Sequence, residues 1–175
     1  MGWRKSIDSF LTSWKNKDNV LGAILTGSYA TNTNNKHSDI NIHFILDNNT
    51  QWRERGYKTV NNHHIAYFAT PFKQLISHIT EDKQLGRNVD ATAFSTGSLL
   101  FDKTGVVKEL QSFASEELTK PFPALSKEHI ELLKVSLHEG FLKLQSAFAD
   151  KTIGFSFAYN HFLDKVLSSY ARFLG

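Results

Sequence analysis

Two short segments carry residues whose types and spacing suit phosphate chemistry. The apolar run Val20 to Thr26 ends in Gly27-Ser28, and after a polar, Asn-rich loop Ser38-Asp39-Ile40-Asn41 opens a second apolar run. A glycine directly after a strand lets the backbone approach phosphate oxygens closely. A serine at the start of a short helix offers its hydroxyl and its backbone N–H where the helix dipole favours anions. An acidic residue at the head of the next strand, with a second acid two residues on, would put two carboxylates on one face. That is the oxygen-ligand set hard cations such as Mg²⁺ take. Here the residue two after Asp39 is Asn41, which offers a neutral carbonyl oxygen and contributes no charge.

Several elements must position these residues. Trp3, Ile7, Phe10, Leu11 and Trp14 recur at spacings of three and four and predict an amphipathic helix from Trp3 to Trp14. Val20 to Thr26 is short, apolar and closed by glycine, which predicts a buried strand. Tyr29 to Asn35 has room for one helical turn and a loop, with Asn32, Asn34 and Asn35 suited to turns. From Ile40 to Leu46 the residues alternate, Ile40, Ile42, Phe44 and Leu46 to one side, Asn41, His43 and Ile45 to the other, which predicts a strand. Trp52 to Gly56 reads as a charged turn or short helix. Tyr57 to Val60 and His63 to Ala69 form a hairpin about Asn61-Asn62.

Pro71 suits the first position of a helix from Phe72 to Lys83, with Phe72, Leu75, Ile76 and Ile79 as its apolar stripe. Arg87 to Thr96 predicts another helix closed by Gly97, Ser98 to Phe101 a short strand, Asp102 to Gly105 a turn, and Val106 onward a further helix. Pro121-Phe122-Pro123 reads as a linker. Beyond it, Ser126 caps a long helix to about Asp150, with Ile130, Leu133, Leu137, Phe141 and Leu144 inward, and Phe155 to Leu174 forms a second apolar helix. The expected organisation is an α/β domain over residues 1–120 and a helical region over residues 121–175.

Bulk composition narrows the function classes. The 175 residues include 41% hydrophobic and 21% charged side chains, as in soluble globular proteins, and 14 Phe imply an aromatic core. The formal charge of +3 comes without a block of Lys and Arg. It therefore argues against a general nucleic-acid binder and suits an anionic small ligand. With no cysteine, disulfides, zinc–thiolate sites and thiol catalysis are excluded. The N-terminus has no signal-peptide core and no apolar run approaches a bilayer's span, so a cytoplasmic protein is expected. The apolar C-terminal helices call for cover from their own chain, a second subunit or a longer chain. A homo-oligomer built through them is one expectation.

Gly27-Ser28, the spacer and Ser38-Asp39-Ile40-Asn41 resemble the nucleotidyltransferase (DNA polymerase β-like) superfamily, whose pattern is Gly-Ser, a spacer, Asp-x-Asp, and a third carboxylate on a later strand. The segments HHIAYFATPFKQL and SLLFDKTG are similar to that family's later strands and turns, and the likeness covers roughly residues 3 to 116. The resemblance implies an α/β (α+β) fold, a mixed sheet flanked by helices and followed by the C-terminal helical pair. It also implies transfer of a nucleoside monophosphate from Mg-NTP to a hydroxyl acceptor of unknown identity. By the same likeness Gly27, Ser28, Lys36 and Ser38 would hold the nucleotide, and Asp39 and Asn41 the metal. Asn41 stands at the second carboxylate position and Ala66 at the third, with no acid between Gly56 and Pro71. One charge in place of three predicts that Mg²⁺ binding and turnover are weak or lost. The alternative expectation is a catalytically silent nucleotide- or partner-binding module of a regulatory or antitoxin-like kind. His37, His43, His63 and His64 invite a metal reading, but adjacent strand residues face opposite ways, so at most one of His63 and His64 could join a site. Arg53, Arg55 and Arg87 could reach a triphosphate but read first as surface residues.

Overall fold

The apolar spacing of α1 (Trp3–Lys15) puts Ile7, Phe10, Leu11 and Trp14 on one buried stripe. That stripe lies on one face of a five-stranded sheet; the computed structural model describes residues 2–174. The strands are β1 (Val20–Thr26), β2 (Ile40–Leu46), β3 (Glu54–Val60), β4 (His63–Pro71) and β5 (Ser98–Asp102), in the order β3-β4-β2-β1-β5. β2 and β4 run parallel and the other neighbours antiparallel, so the sheet is mixed. Trp14 stacks on Phe44 at 4.2 Å between ring centroids, and Phe10 sits 5.9 Å from the same ring. These contacts anchor α1 over the centre of the sheet.

The opposite face is also covered. Ile24 and Ile45 of the sheet are buried with Leu75 and Ile79 of α3 (Phe72–Gln84), Phe94 of α4 (Val89–Ser95), and Val107 and Leu110 of α5 (Val106–Thr119). β2 is therefore buried on both faces, which makes it the spine of the domain. Both ends of α5 are satisfied by side chains. The Asp102 carboxylate accepts the N–H groups of Gly105 and Val107 at 2.8 and 3.1 Å. The buried Lys83 ammonium donates to the carbonyls of Glu117 and Lys120 at 2.8 and 2.5 Å, a cation where the last turn's free carbonyls want one.

Local chemistry accounts for most boundaries. Asn61 and Asn62 have φ of 48° and 63°, the paired left-handed conformation a two-residue hairpin turn needs. Two expectations require correction. Trp52 to Gly56 is not a helix, because β3 begins at Glu54, held by its ladder to β4 from Glu54 opposite Ala69 onward. An edge strand exposed along most of its length has no apolar alternation to announce it. The helix expected from Arg87 begins at Val89. Gly86, at φ 73°, ends α3, and Arg87 is held outside by its N–H on the Asp82 carbonyl (2.8 Å) and an ion pair to the Asp82 carboxylate (2.7 Å).

Internal contacts divide the chain after Lys120. In the second unit Ser126 accepts the His129 N–H and starts α6 (Lys127–Ala149), which pairs with α7 (Phe155–Leu174). Gly140 permits the approach, since a Cβ there would lie 2.9 Å from the Phe162 ring. The inward stripe expected on α6 is only half-covered. No residue of α6 is buried, and Phe141 is 48% exposed. One partner helix shields one side of a stripe, and the rest needs other cover.

Candidate functional site

Gly27 sits between β1 and α2 (Ser28–Thr31), a single helical turn closed by left-handed Asn32. Its φ of 70° and ψ of −156° fall in a region essentially reserved for glycine. A Cβ there would also come within 3.3 Å of the Asn41 side-chain nitrogen. Glycine is thus required by the backbone before any ligand is considered. Ser28 is half-buried at the first position of the turn. Ser38 is used by the loop, its hydroxyl accepting the Asn35 N–H at 2.9 Å, so it shapes the approach to Asp39. Lys36 is exposed.

Strand register decides the rest. Asn41 lies opposite Thr26 on β1 and beside Ala66 on β4, and Ala66 lies opposite Tyr57 on β3. Thr26, Asn41, Ala66 and Tyr57 therefore form one lateral row on the α3–α5 face. The two positions expected to bear the second and third carboxylates are immediate neighbours, and one holds an amide and the other a methyl group. The Asn41 amide donates to Asp39 Oδ1 at 3.3 Å, and Ala66 is 1% exposed.

One row further along the same face lie Ile24, His43, Phe68 and Arg55. His43, Phe68 and Arg55 floor a cavity of about 640 Å³ that Asn41 also lines, closed by α3 and α4 through His78, Asp90 and Phe94. His43 stacks on Phe68 (4.8 Å, 18°) and meets the edge of Phe94 (5.0 Å, 81°). Burial pushes its pKa down to about 4, so it is neutral at ordinary pH. Burial, and then the neighbouring Asp82 carboxylate, pushes Asp90 above the usual carboxylate range, opposed by His78 and Arg87. A second groove of about 660 Å³ is lined by Gly27, Thr31 and Arg87 and shares Val89 and Ala93 of α4 with the first. The helix α4 thus stands between them.

The four histidines do not gather. His63 bonds to Ser6 of α1 at 3.0 Å and His64 to Thr59 at 3.1 Å, on opposite faces of β4, while His37 is exposed in the loop. The arginines, read from sequence as surface residues, do line the grooves: Arg53 and Arg55 the cavity over the second row, Arg87 the groove at Gly27. Period-two alternation already placed His43 on the Asn41 side. Asp90, His78 and Phe94 carried no such signal, because α4 is brought over the sheet by tertiary packing.

A family model described as "Nucleotidyltransferase domain" matches residues 7–97, more than half of the chain. The chain belongs to the nucleotidyltransferase-domain family. Among solved structures it is similar to a nucleotidyltransferase-like protein from Exiguobacterium sibiricum 255-15, at 14% identity and a TM-score of 0.50, with 94% of this chain and 55% of that chain covered. At that identity the likeness concerns the fold. This chain spans little more than half the length of that neighbour. No curated protein matches the chain.

The family implies Mg²⁺, and the residues of this nucleotidyltransferase domain do not fit a two-ion centre. Asp39 supplies one carboxylate, one of whose oxygens already receives the Asn41 amide, and Ala66 supplies no donor at all. Among the described residues no three His, Asp or Glu side chains are grouped to hold a metal. Hard cations are held chiefly by charged oxygens, and here Asp39 alone offers them.

Proposed function

We propose that this chain is a nucleotide-binding member of the nucleotidyltransferase family in which nucleotidyl transfer is strongly impaired. The observation that carries this is the side-by-side placement of Asn41 and Ala66 where the resemblance calls for acids. Gly27 and Ser28 would meet the phosphates through backbone N–H groups and a hydroxyl, with Lys36 and Ser38 beside them. Asp39 would retain weak Mg²⁺ contact, with Asn41 able to add only a carbonyl oxygen. Related enzymes would transfer a nucleoside monophosphate to a hydroxyl. Here the charge that stabilises attacking and leaving oxygens is reduced to one group, and the carboxylate that would take the acceptor's proton is missing. Calorimetric titration with ATP and the other NTPs, with and without Mg²⁺, tests the reading together with a turnover assay. Micromolar binding with negligible product supports it, while sustained Mg²⁺-dependent product formation overturns it.

A partner-binding, regulatory role is favoured by a separate observation. In the helical unit Leu132, Phe148, Phe157, Leu167 and Phe173 are each more than half exposed, an amount of exposed large apolar surface that favours a contact site. A second copy of the chain is the occupant this reading favours, and light scattering in solution measures it. A cytoplasmic location belongs to the same reading. Among the described residues no helix is long and apolar enough to cross a membrane.

A further inference from the structure

The cavity over the second row has features that nucleotide binding at Gly27 does not use. Its floor brings three groups together: the His43 ring stacks on Phe68 at 4.8 Å, and the Arg55 guanidinium carbon lies 5.5 Å from the Phe68 ring centroid. Stacking holds the guanidinium plane in place while leaving its N–H fork free for an oxyanion. Arg53 lines the same cavity. Among the described residues neither arginine has a carboxylate within ion-pair distance, whereas Arg87 at the other groove is paired to Asp82 at 2.7 Å. The other charged groups on the lining are Glu54, whose carboxylate accepts the Tyr67 hydroxyl at 2.7 Å, and, at the α4 side, Asp90 beside His78. Between the two ends the walls are aromatic and aliphatic, from Phe68, Phe94 and Leu75. The volume of about 640 Å³ lies within the range of small-molecule sites.

We infer that this cavity is a second ligand site, separate from the Gly27 end, for a flat aromatic anion whose phosphate or carboxylate is held by Arg53 and Arg55 and whose ring lies against the His43–Phe68–Phe94 wall. A hydroxyl or amino group on the far side of the ring would meet the Asp90 carboxylate. The polarity of the lining orients such a molecule in one direction. A bare anion would leave the aromatic wall wet, and a neutral arene would leave two unpaired guanidinium groups unused.

Phenyl phosphate is a direct probe, followed by NMR of the aromatic and imidazole signals of the intact protein. The expected result is saturable shifts of the His43 and Phe68 signals at millimolar probe. Inorganic phosphate and phenol should each bind at least about tenfold more weakly, the effect of losing one good interaction. Arg55→Ala should weaken phenyl phosphate by about tenfold or more and Arg55→Lys by less, because the lysine keeps charge without the fork. Both arginines are exposed, so these variants keep the fold, and dispersion of the remaining signals verifies it. Unshifted His43 signals, or equal affinity in an Arg53→Ala/Arg55→Ala variant, overturn the inference. Gly27→Ala should leave phenyl phosphate binding intact. Loss of NTP binding with the probe retained would therefore count against the nucleotide reading alone, and the converse against this one alone.

Discussion

Two neighbouring rows on the same face of the sheet have taken opposite courses. The row Thr26–Asn41–Ala66–Tyr57 carries the positions where the resemblance calls for acids, and it is neutral. The row Ile24–His43–Phe68–Arg55, two residues along each strand, is not part of the family's motif, yet it holds the stacked ring system and a cation with no carboxylate partner. Adjacent strands lie about 4.8 Å apart and successive same-face residues about 6.8 Å apart along a strand. A few side chains therefore separate the proposed phosphate-binding end from the cavity proposed as a second site. On the proposed reading, phosphate capture by backbone and hydroxyl would need only Gly27's conformation and a turn of helix, whereas metal catalysis would need the missing carboxylates.

The largest effect should come from restoring charge to the first row. Asn41→Asp with Ala66→Glu places three carboxylates at Asp39, residue 41 and residue 66. Several kcal/mol of charge stabilisation corresponds to roughly 10²–10³-fold in rate, to be read as Mg²⁺-dependent nucleotide consumption against the parent. Since Ala66 is 1% exposed, the new carboxylate should lower Tm in chelator, and Mg²⁺ should recover it. A Tm indifferent to Mg²⁺ would show that the rows are not arranged as described.

The second row should make stability depend on pH. His43 is held neutral in the fold with a pKa of about 4, against 6.5 for the ordinary group. The unfolded chain therefore binds the extra proton between those values. The contribution is fully present above pH 6.5 and is lost as pH falls toward 4, to a limit of about 3 kcal/mol. Denaturant melts across that window should show the slope, and His43→Phe should flatten it.

Gly27→Ala comes next. The glycine-only backbone conformation should cost about 1–3 kcal/mol of stability, measured by urea unfolding, together with most of the nucleotide affinity measured by calorimetry. The smallest effect expected is that of Lys36→Ala. An exposed cation gains about 0–1 kcal/mol from any ion pair it makes, so nucleotide affinity should change only a few-fold.

The residues legible in advance were those governed by local rules. The alternation from Ile40 to Leu46, the three-and-four spacing in α1 and the Asn61-Asn62 turn each fix backbone geometry within a few residues of themselves. The spacing of Gly27, Ser28 and Asp39 pointed to the family that the match over residues 7–97 bears out. What local pattern could not show was anything that depends on which strand lies beside which. The start of β3 at Glu54 exists because β4 offers it a ladder. The burial of His43 exists because α4 crosses over it. The open stripe of α6 reflects how much of it a single partner helix can cover. The sequence by itself determined that acids are absent at positions 41 and 66, and that Gly27 could meet a phosphate. Only the tertiary structure decided that those two positions touch, that the Asn41 amide leans on Asp39, and that a stacked arginine waits one row away. Periodicity is a property of neighbours in the chain, whereas register between β2 and β4 joins residues 25 positions apart, and no local preference encodes it.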